Sequence, residues 1–252
     1  ICSRGNINAL RKYKLPNYSK NEHEVWSSEF INNINLITAD PGMGKTELTK
    51  SLKNNCGVRY WTVILSRQDI LAFFRFSKKC EISDDLQRFK TFILNQKYRH
   101  LGRLDREFFT VSLKQNNVIY IWDALDEIFT LYLNATIDLI LMLSEKGFIQ
   151  WVSARQHLSS LLKEKFNTFS VSINQFNEVD QEDYIKKRLT GFKTSGDMKT
   201  TIDRIKFTFA NINHTDILGI PLQIFMLTEV LLQNKENYLE LLSNKFLLTD
   251  MY

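Results

Sequence analysis

The stretch Asn35 to Lys50, N-L-I-T-A-D-P-G-M-G-K-T-E-L-T-K, constrains the fold more than any other part of the chain. Ile34 to Thr38 is a short β-prone run, Ala39 to Thr46 reads A-D-P-G-M-G-K-T, and Glu47 to Lys53 continues as a polar helix. Strand, loop and helix in that order form the setting in which a Gly-rich loop ending in Gly-Lys-Thr holds phosphate. Gly42 and Gly44 can take positive φ and lack a Cβ, so successive N–H groups can turn inward around an anion. The helix that opens near Lys45 adds the positive end of its dipole. In this pattern Lys45 reaches the β- and γ-phosphates and the Thr46 hydroxyl ligates Mg2+. Pro41 fixes φ at the start of the loop. Ala39 stands where the strict motif has its first Gly, a change that costs little if its φ is negative. The expected nucleotide-contacting stretch is therefore Ala39, Asp40, Pro41, Gly42, Met43, Gly44, Lys45, Thr46 and Glu47. A chance glycine turn before a helix is the bland alternative, and the intact order of elements weighs against it.

The rest of the chain alternates strand and helix patterns up to about residue 173. Val58 to Leu65, Val118 to Trp122, Phe148 to Ser153 and Phe169 to Ile173 read as strands rich in β-branched and aromatic residues. V-I-Y-I-W is continuously apolar, as expected of a central parallel strand covered on both faces. Between them, Ile70 to Phe76 reads as a short apolar turn or helix. Helices are expected over Leu86 to Tyr98, Arg103 to Lys114, about Phe129 to Lys146, and Leu158 to Phe166. This alternation predicts an α/β fold, a parallel sheet flanked by helices. From Asp180 the pattern is helical: Asp180 to Thr190, Lys199 to Ala210, Pro221 to Gln233 and Tyr238 to Leu248, with a loop at Gly191 to Gly196. Three segments follow: a polar 1–33, a core over 34–176, and a small helical domain over 177–252.

Two strand ends carry further chemistry. D-A-L-D-E at 123–127 puts Asp123 at the C-terminal end of a buried strand, where a carboxylate can hold Mg2+. Asp126 and Glu127 lie where one of them can orient or deprotonate a water. Small Ala124 lets the backbone turn close by. W-V-S-A-R at 151–155 places Arg155 just past a strand end, on the edge where open α/β sheets bind ligands. A surface ion pair is the plainer explanation of that arginine. G-I-P-L at 219–222 opens an apolar helix, and Pro221 by itself is an ordinary first-turn proline.

Composition excludes several classes. At 252 residues, with 44% hydrophobic and 24% charged residues, the chain can bury a substantial core. The longest strongly apolar run, Ile137 to Leu143 broken by Asp138, is too short to span a bilayer. Cys2, Cys56 and Cys80 are an odd, widely spaced set with no metal-ligand pattern, which fits a reducing, cytoplasmic compartment. A net charge of +5 is read as a solvated basic surface in preference to a nucleic-acid groove. No signal peptide is visible, and a first residue of Ile leads to the expectation that this is a segment of a longer protein.

Taken together, A-D-P-G-M-G-K-T, V-I-Y-I-W-D-A-L-D-E, W-V-S-A-R and G-I-P-L resemble the NACHT class of signal-transduction NTPases, the STAND group that includes NOD-like receptors. The resemblance runs from about Ile34 to Leu232, and the extended acidic motif is its most specific part. It implies a P-loop NTPase core followed by a small helical domain, with ADP holding a closed form and exchange for ATP permitting self-association. By position, Lys45 and Thr46 match the phosphate and Mg2+ residues, Asp123 the metal-coordinating acid, Asp126 and Glu127 the hydrolytic pair, and Arg155 the sensor arginine. Pro221 matches the proline that packs against adenine, and Phe176 to Leu189 resembles the start of the helical domain. Ala39 and Ala124 replace commoner glycines, and Ala154-Arg155-Gln156 replaces Ser-Arg-Pro. The chain ends before the winged-helix region whose His contacts the β-phosphate in that family.

The reading that follows is an ATP/ADP switch with slow Mg2+-dependent hydrolysis, in innate-immune or stress signalling, with trigger and signalling partners unreadable. Two alternatives stand beside it: a faster ATPase of motor or metabolic type, and a scaffold stabilised by nucleotide without hydrolysis. A guanine-reading N-K-x-D is missing, since Asn234-Lys-Glu-Asn237 lacks the final Asp.

Overall fold

A computed structural model describes residues 33–55, 60–128, 130–189, 198–211 and 219–233. The expected N-terminal segment, the loop at Gly191 to Gly196 and the helix over Tyr238 to Leu248 lie outside the described residues, apart from Asn33. By its contacts the chain divides into two units: Lys45–Ile173 together with the chain up to Asp40, and Asn174 onward together with Pro41–Gly44.

The first unit is built on β1 (Ile34–Thr38), β2 (Trp61–Leu65), β3 (Val118–Trp122), β4 (Ile149–Ala154) and β5 (Ser170–Ser172). They form one five-stranded sheet in the order β2-β3-β4-β1-β5, and every pairing is parallel. The α/β fold expected from the alternation is the fold observed. Its helices are α1 (Lys45–Asn55), α2 (Arg67–Ser77), α3 (Asp85–Phe92), α4 (Arg103–Lys114), α5 (Thr130–Glu145) and α6 (Ser159–Phe166). β3 is buried along its whole length, as an apolar run between two helical layers must be.

Side-chain alternation divides the core by face. Leu36, Val63, Tyr120, Trp122 and Val152 join Phe73, Phe89, Phe109, Ile140 and Phe166 in the larger cluster. Ile37, Ile119, Ile121 and Trp151 face the other way and pack with Leu48 and Leu52 of α1. The helix that follows the glycine loop, α1, therefore covers this second face of the sheet.

Local chemistry explains where the expected elements shift. Ile70 to Phe76 is part of a full helix, α2, because Ser66 and Asp69 form a reciprocal cap: the Ser66 amide donates to Asp69 Oδ2 at 2.9 Å and the Asp69 amide to Ser66 Oγ at 3.4 Å. The helix expected through Tyr98 stays α-helical only to Phe92 and widens into a π-helical turn over Ile93–Lys97, where the Tyr98 amide donates to Ile93 O at 2.9 Å. That turn delivers Lys97 to Asp69 at 2.7 Å and the Tyr98 hydroxyl to Thr62 O at 3.3 Å. β5 is shorter than expected, since Phe169 is solvent-exposed and only Ser170–Ser172 pair with β1.

The second unit contains α7 (Glu178–Arg188), α8 (Met198–Asn211) and α9 (Pro221–Gln233). α7 starts earlier than Asp180 because Asn177 caps it, its side chain accepting from the Asp180 amide at 2.9 Å. Ile185, Leu189, Ile202, Ile205, Ile224, Leu227 and Leu231 form its separate core.

Two fully buried polar side chains of the first unit contrast sharply. Gln150 accepts from Trp122 Nε1 at 2.9 Å and donates to Ile140 O at 2.7 Å. The Tyr120 hydroxyl makes no hydrogen bond among the described residues, and burial pushes its pKa up. Gln150→Leu orphans the Trp122 N–H and is expected to cost about 1–3 kcal/mol, whereas Tyr120→Phe should be neutral or stabilising by up to about 1 kcal/mol. Urea unfolding of the two variants checks the contrast.

Candidate functional site

The sheet order brings three strand ends to one edge. β1 pairs with β4 and β4 with β3, so Thr38 lies opposite Ala154, and Trp122 opposite Val152. The chain therefore leaves the sheet at Ala39, Asp123 and Arg155 along adjacent strands. The Ala39 amide donates to Ala154 O at 3.2 Å, extending the ladder one residue into the loop. Ala39 is buried and has no positive φ, which is why an alanine serves where a glycine was expected.

Gly42 and Gly44 take φ of 79° and 85°. Gly42 is constrained twice, because a Cβ there would lie 3.0 Å from Ile220 Cγ2 and 3.3 Å from Leu222 Cβ. The Leu222 amide also donates to Gly42 O at 3.1 Å. Pro221 is the first residue of α9 and half-buried. Met43 is buried, and Asp40 and Pro41 are exposed.

Lys45 is the first residue of α1, and its Nζ donates to Ala39 O at 2.9 Å and Asp40 O at 3.1 Å. Burial pushes its pKa down. Asp126 opposes that shift, Arg155 adds to it, and Asp40 and Asp123 oppose it more weakly. Asp123, Asp126 and Arg155 thus all lie within electrostatic reach of Lys45. Thr46 and Glu47 are exposed, and Glu47 pairs with Lys50 at 2.6 Å.

The acidic turn is held in detail. The Asp123 amide donates to Leu65 O at 2.9 Å. Ala124 adopts the left-handed conformation, φ 57° and ψ 56°, unusual for a residue with a Cβ. Its amide donates to Ser153 Oγ at 2.9 Å, and Ser153 Oγ lies 3.1 Å from Asp123 Oδ1. Leu125–Glu127 then form a single 3-10 turn. Asp126, its side chain only 2% exposed, accepts from the Arg155 amide at 3.0 Å and from Arg155 Nε at 2.8 Å. Glu127 is exposed.

Asp126 and Glu127, left as alternatives by the sequence, therefore differ in kind: one carboxylate is buried and paired, the other open. Arg155 is in the ion pair that its plainer explanation described, but with a buried partner of the acidic turn. Ser153 was missed, read only as part of a strand. Its signal is a hydroxyl in the interior of a buried parallel strand, where a polar group needs a partner.

Among the described residues no group of three or more His, Cys, Asp or Glu side chains is arranged to hold a metal. Mg2+ commonly takes only one or two protein oxygens beside those of phosphate and water. The Thr46 hydroxyl and Asp123 carboxylate supply that donor chemistry, and Asp123 Oδ2 makes no hydrogen bond among the described residues. No helix among the described residues is long and apolar enough to cross a membrane.

No protein-family model matches the chain. No curated protein sequence matches it either. Solved structures do. DnaA from Aquifex aeolicus, bound to AMPPCP, superposes with a TM-score of 0.58 at 17% identity, over 97% of this chain and 66% of that one. The Walker-type ATPase of Pyrococcus abyssi gives 0.52 at 12% identity, over 90% and 71%. Drosophila ORC, bound to DNA, gives 0.52 at 13% identity, over 97% and 68%. The chain thus spans about two thirds of these proteins. At such identities the shared property is the fold, and it is that of the P-loop NTPases. With a DNA-bound structure among them, these likenesses give no support to the expectation that nucleic acid is an unlikely partner.

Arg155→Ala would leave the Asp126 carboxylate buried without its guanidinium, at an expected cost of about 1–3 kcal/mol. In an Asp126→Asn background the same change should cost at least about 0.5 kcal/mol less. A double-mutant cycle by urea unfolding measures that coupling.

Proposed function

We propose that this chain is an adenine-nucleotide switch of the NACHT/STAND type, hydrolysing ATP slowly and using ATP/ADP exchange to control conformation and self-association. The observation that carries the reading is the convergence of Lys45, Asp123, Asp126 and Arg155 beside a glycine loop at one edge of a parallel sheet. The nucleotide-bound DnaA neighbour adds support from a protein of the same fold.

In this reading the loop from Ala39 to Glu47 cradles the phosphates. Lys45 gives up its two carbonyl partners for β- and γ-phosphate oxygens, a favourable exchange because the ammonium is partly desolvated. Thr46 and Asp123 hold Mg2+, which supplies charge neutralisation for the phosphates. Glu127, the open carboxylate, orients the attacking water. Asp126 positions Arg155, and Arg155 faces the terminal phosphate. The core spans 34–176 and the helical domain begins at 177; the role of Pro221 as the proline that packs against adenine rests on the motif resemblance. The assignment to innate-immune or stress signalling rests on the motif resemblance.

The second reading is a faster ATPase that works with DNA, favoured by the likeness to the DNA-bound ORC structure. The separating experiment is to denature purified protein and identify any released nucleotide by ion-pair chromatography. Near-stoichiometric ADP is expected of a slowly exchanging switch. Empty protein that turns over added ATP rapidly overturns the switch and favours the second reading.

Two substitutions test the roles. Lys45→Ala should abolish nucleotide binding, measured with a fluorescent ADP analogue, and tight binding by that variant would remove the loop from the site. Glu127→Gln should slow hydrolysis by about 100-fold or more, the usual contribution of a general base, while leaving ADP affinity unchanged.

A further inference from the structure

The hydroxyl of Ser153 sits between two consecutive residues of the acidic turn. It is fully buried on β4, with Oγ 2.9 Å from the Ala124 amide and 3.1 Å from Asp123 Oδ1. The directions of these bonds are fixed by chemistry. An amide can only donate, so Oγ accepts from Ala124, and its proton then goes to the carboxylate. One side chain therefore holds both the left-handed turn at Ala124 and the rotation of the Asp123 carboxyl group.

The placement follows from the sheet. Ser153 is opposite Ile37 in the β1–β4 register, and Ile37 and Trp151 lie on the α1 face. Trp122 points to the other face, so Asp123, the next residue, turns toward α1. Asp123 is close enough to Lys45 and Lys50 on that helix to act on both ammonium groups. Oδ1 is engaged by Ser153, and Oδ2 makes no hydrogen bond among the described residues.

We propose that Ser153 is a positioning residue for metal binding: it holds Oδ1 so that Oδ2 of Asp123 is presented toward the Mg2+ carried by a nucleotide. This rests on the nucleotide-binding reading above. Ser153 does not touch phosphate or metal itself. Removing such a partner of a metal-ligating carboxylate commonly weakens metal affinity by about 10–100-fold. Nucleotide binding without metal should not depend on Ser153.

The test compares the affinity of a fluorescent ADP analogue in Mg2+ and in EDTA. In the full chain, Ser153→Ala should lose about tenfold or more of the Mg2+-dependent gain, with the EDTA affinity unchanged. In an Asp123→Asn background the same substitution should have no further effect on the Mg2+ dependence. Equal losses with and without Mg2+, an additive loss in that background, or no loss would each overturn the proposal. Should the alanine variant fail to fold, Ser153→Thr and Ser153→Cys carry the test. Threonine keeps the hydroxyl and should retain the Mg2+ gain, and cysteine, a weak donor, should lose it. The reverse order, or equal behaviour, overturns the proposal. Wild-type protein that binds no nucleotide in either condition brings down the nucleotide reading and this inference with it. Wild-type binding with unchanged Mg2+ dependence in the variants brings down this inference alone.

Discussion

β4 is the strand on which the candidate site depends, because among the described strands it alone hydrogen-bonds to both β1 and β3. The glycine loop grows from β1 and the acidic turn from β3, and β1 and β3 do not pair with each other. Their spacing is set by the two registers of one intervening strand. A one-residue slip in either register would invert every side chain on β4 and take Ser153 away from Asp123. The buried bonds from Gln150 to Trp122 and to Ile140 oppose such a slip, since an inverted Gln150 would leave polar groups unpaired on both sides.

Electrostatics divides labour among groups that composition alone treats as equivalent. Lys45 is partly desolvated, which weakens its hold on a proton, and the nearby carboxylates offset that only in part. The carboxylates are not interchangeable. Asp126 is buried and accepts two N–H groups from one arginine, one at each oxygen, so both oxygens are engaged. Among the described residues Asp123 is committed at one oxygen only. Glu127, at the end of the same short turn, faces solvent. Three acids within five residues thus have three environments, produced by one left-handed residue and one 3-10 turn.

What the sequence made legible was local. The β1–loop–α1 order, the apolar V-I-Y-I-W run and the parallel α/β class all follow from short-range pattern and glycine placement. The strand order did not, because β1 and β2, consecutive in sequence, end three positions apart in the sheet. Nor did the partnership of Asp126 with Arg155 or of Ser153 with Asp123, which join positions 29 and 30 residues apart. Ala124 hid its conformation, since the usual flag for a left-handed residue is Gly or Asn. The capping role of Ser66 was masked by its place at the end of a strand, and the π-helical turn has no periodic signature of its own.

The two loop glycines have different histories available to them. Gly42 is kept glycine by its φ and by the side chains of Ile220 and Leu222, whatever the loop binds. Gly44 has a positive φ but nothing within 4 Å of where a Cβ would sit. That backbone strains any L side chain, asparagine least, and ligand approach would add a second pressure at position 44. A lineage that abandoned nucleotide could drift at Gly44 and would still be pinned at Gly42. Substitution tolerance at the pair, two positions apart in the chain, would separate selection for folding from selection for a bound phosphate.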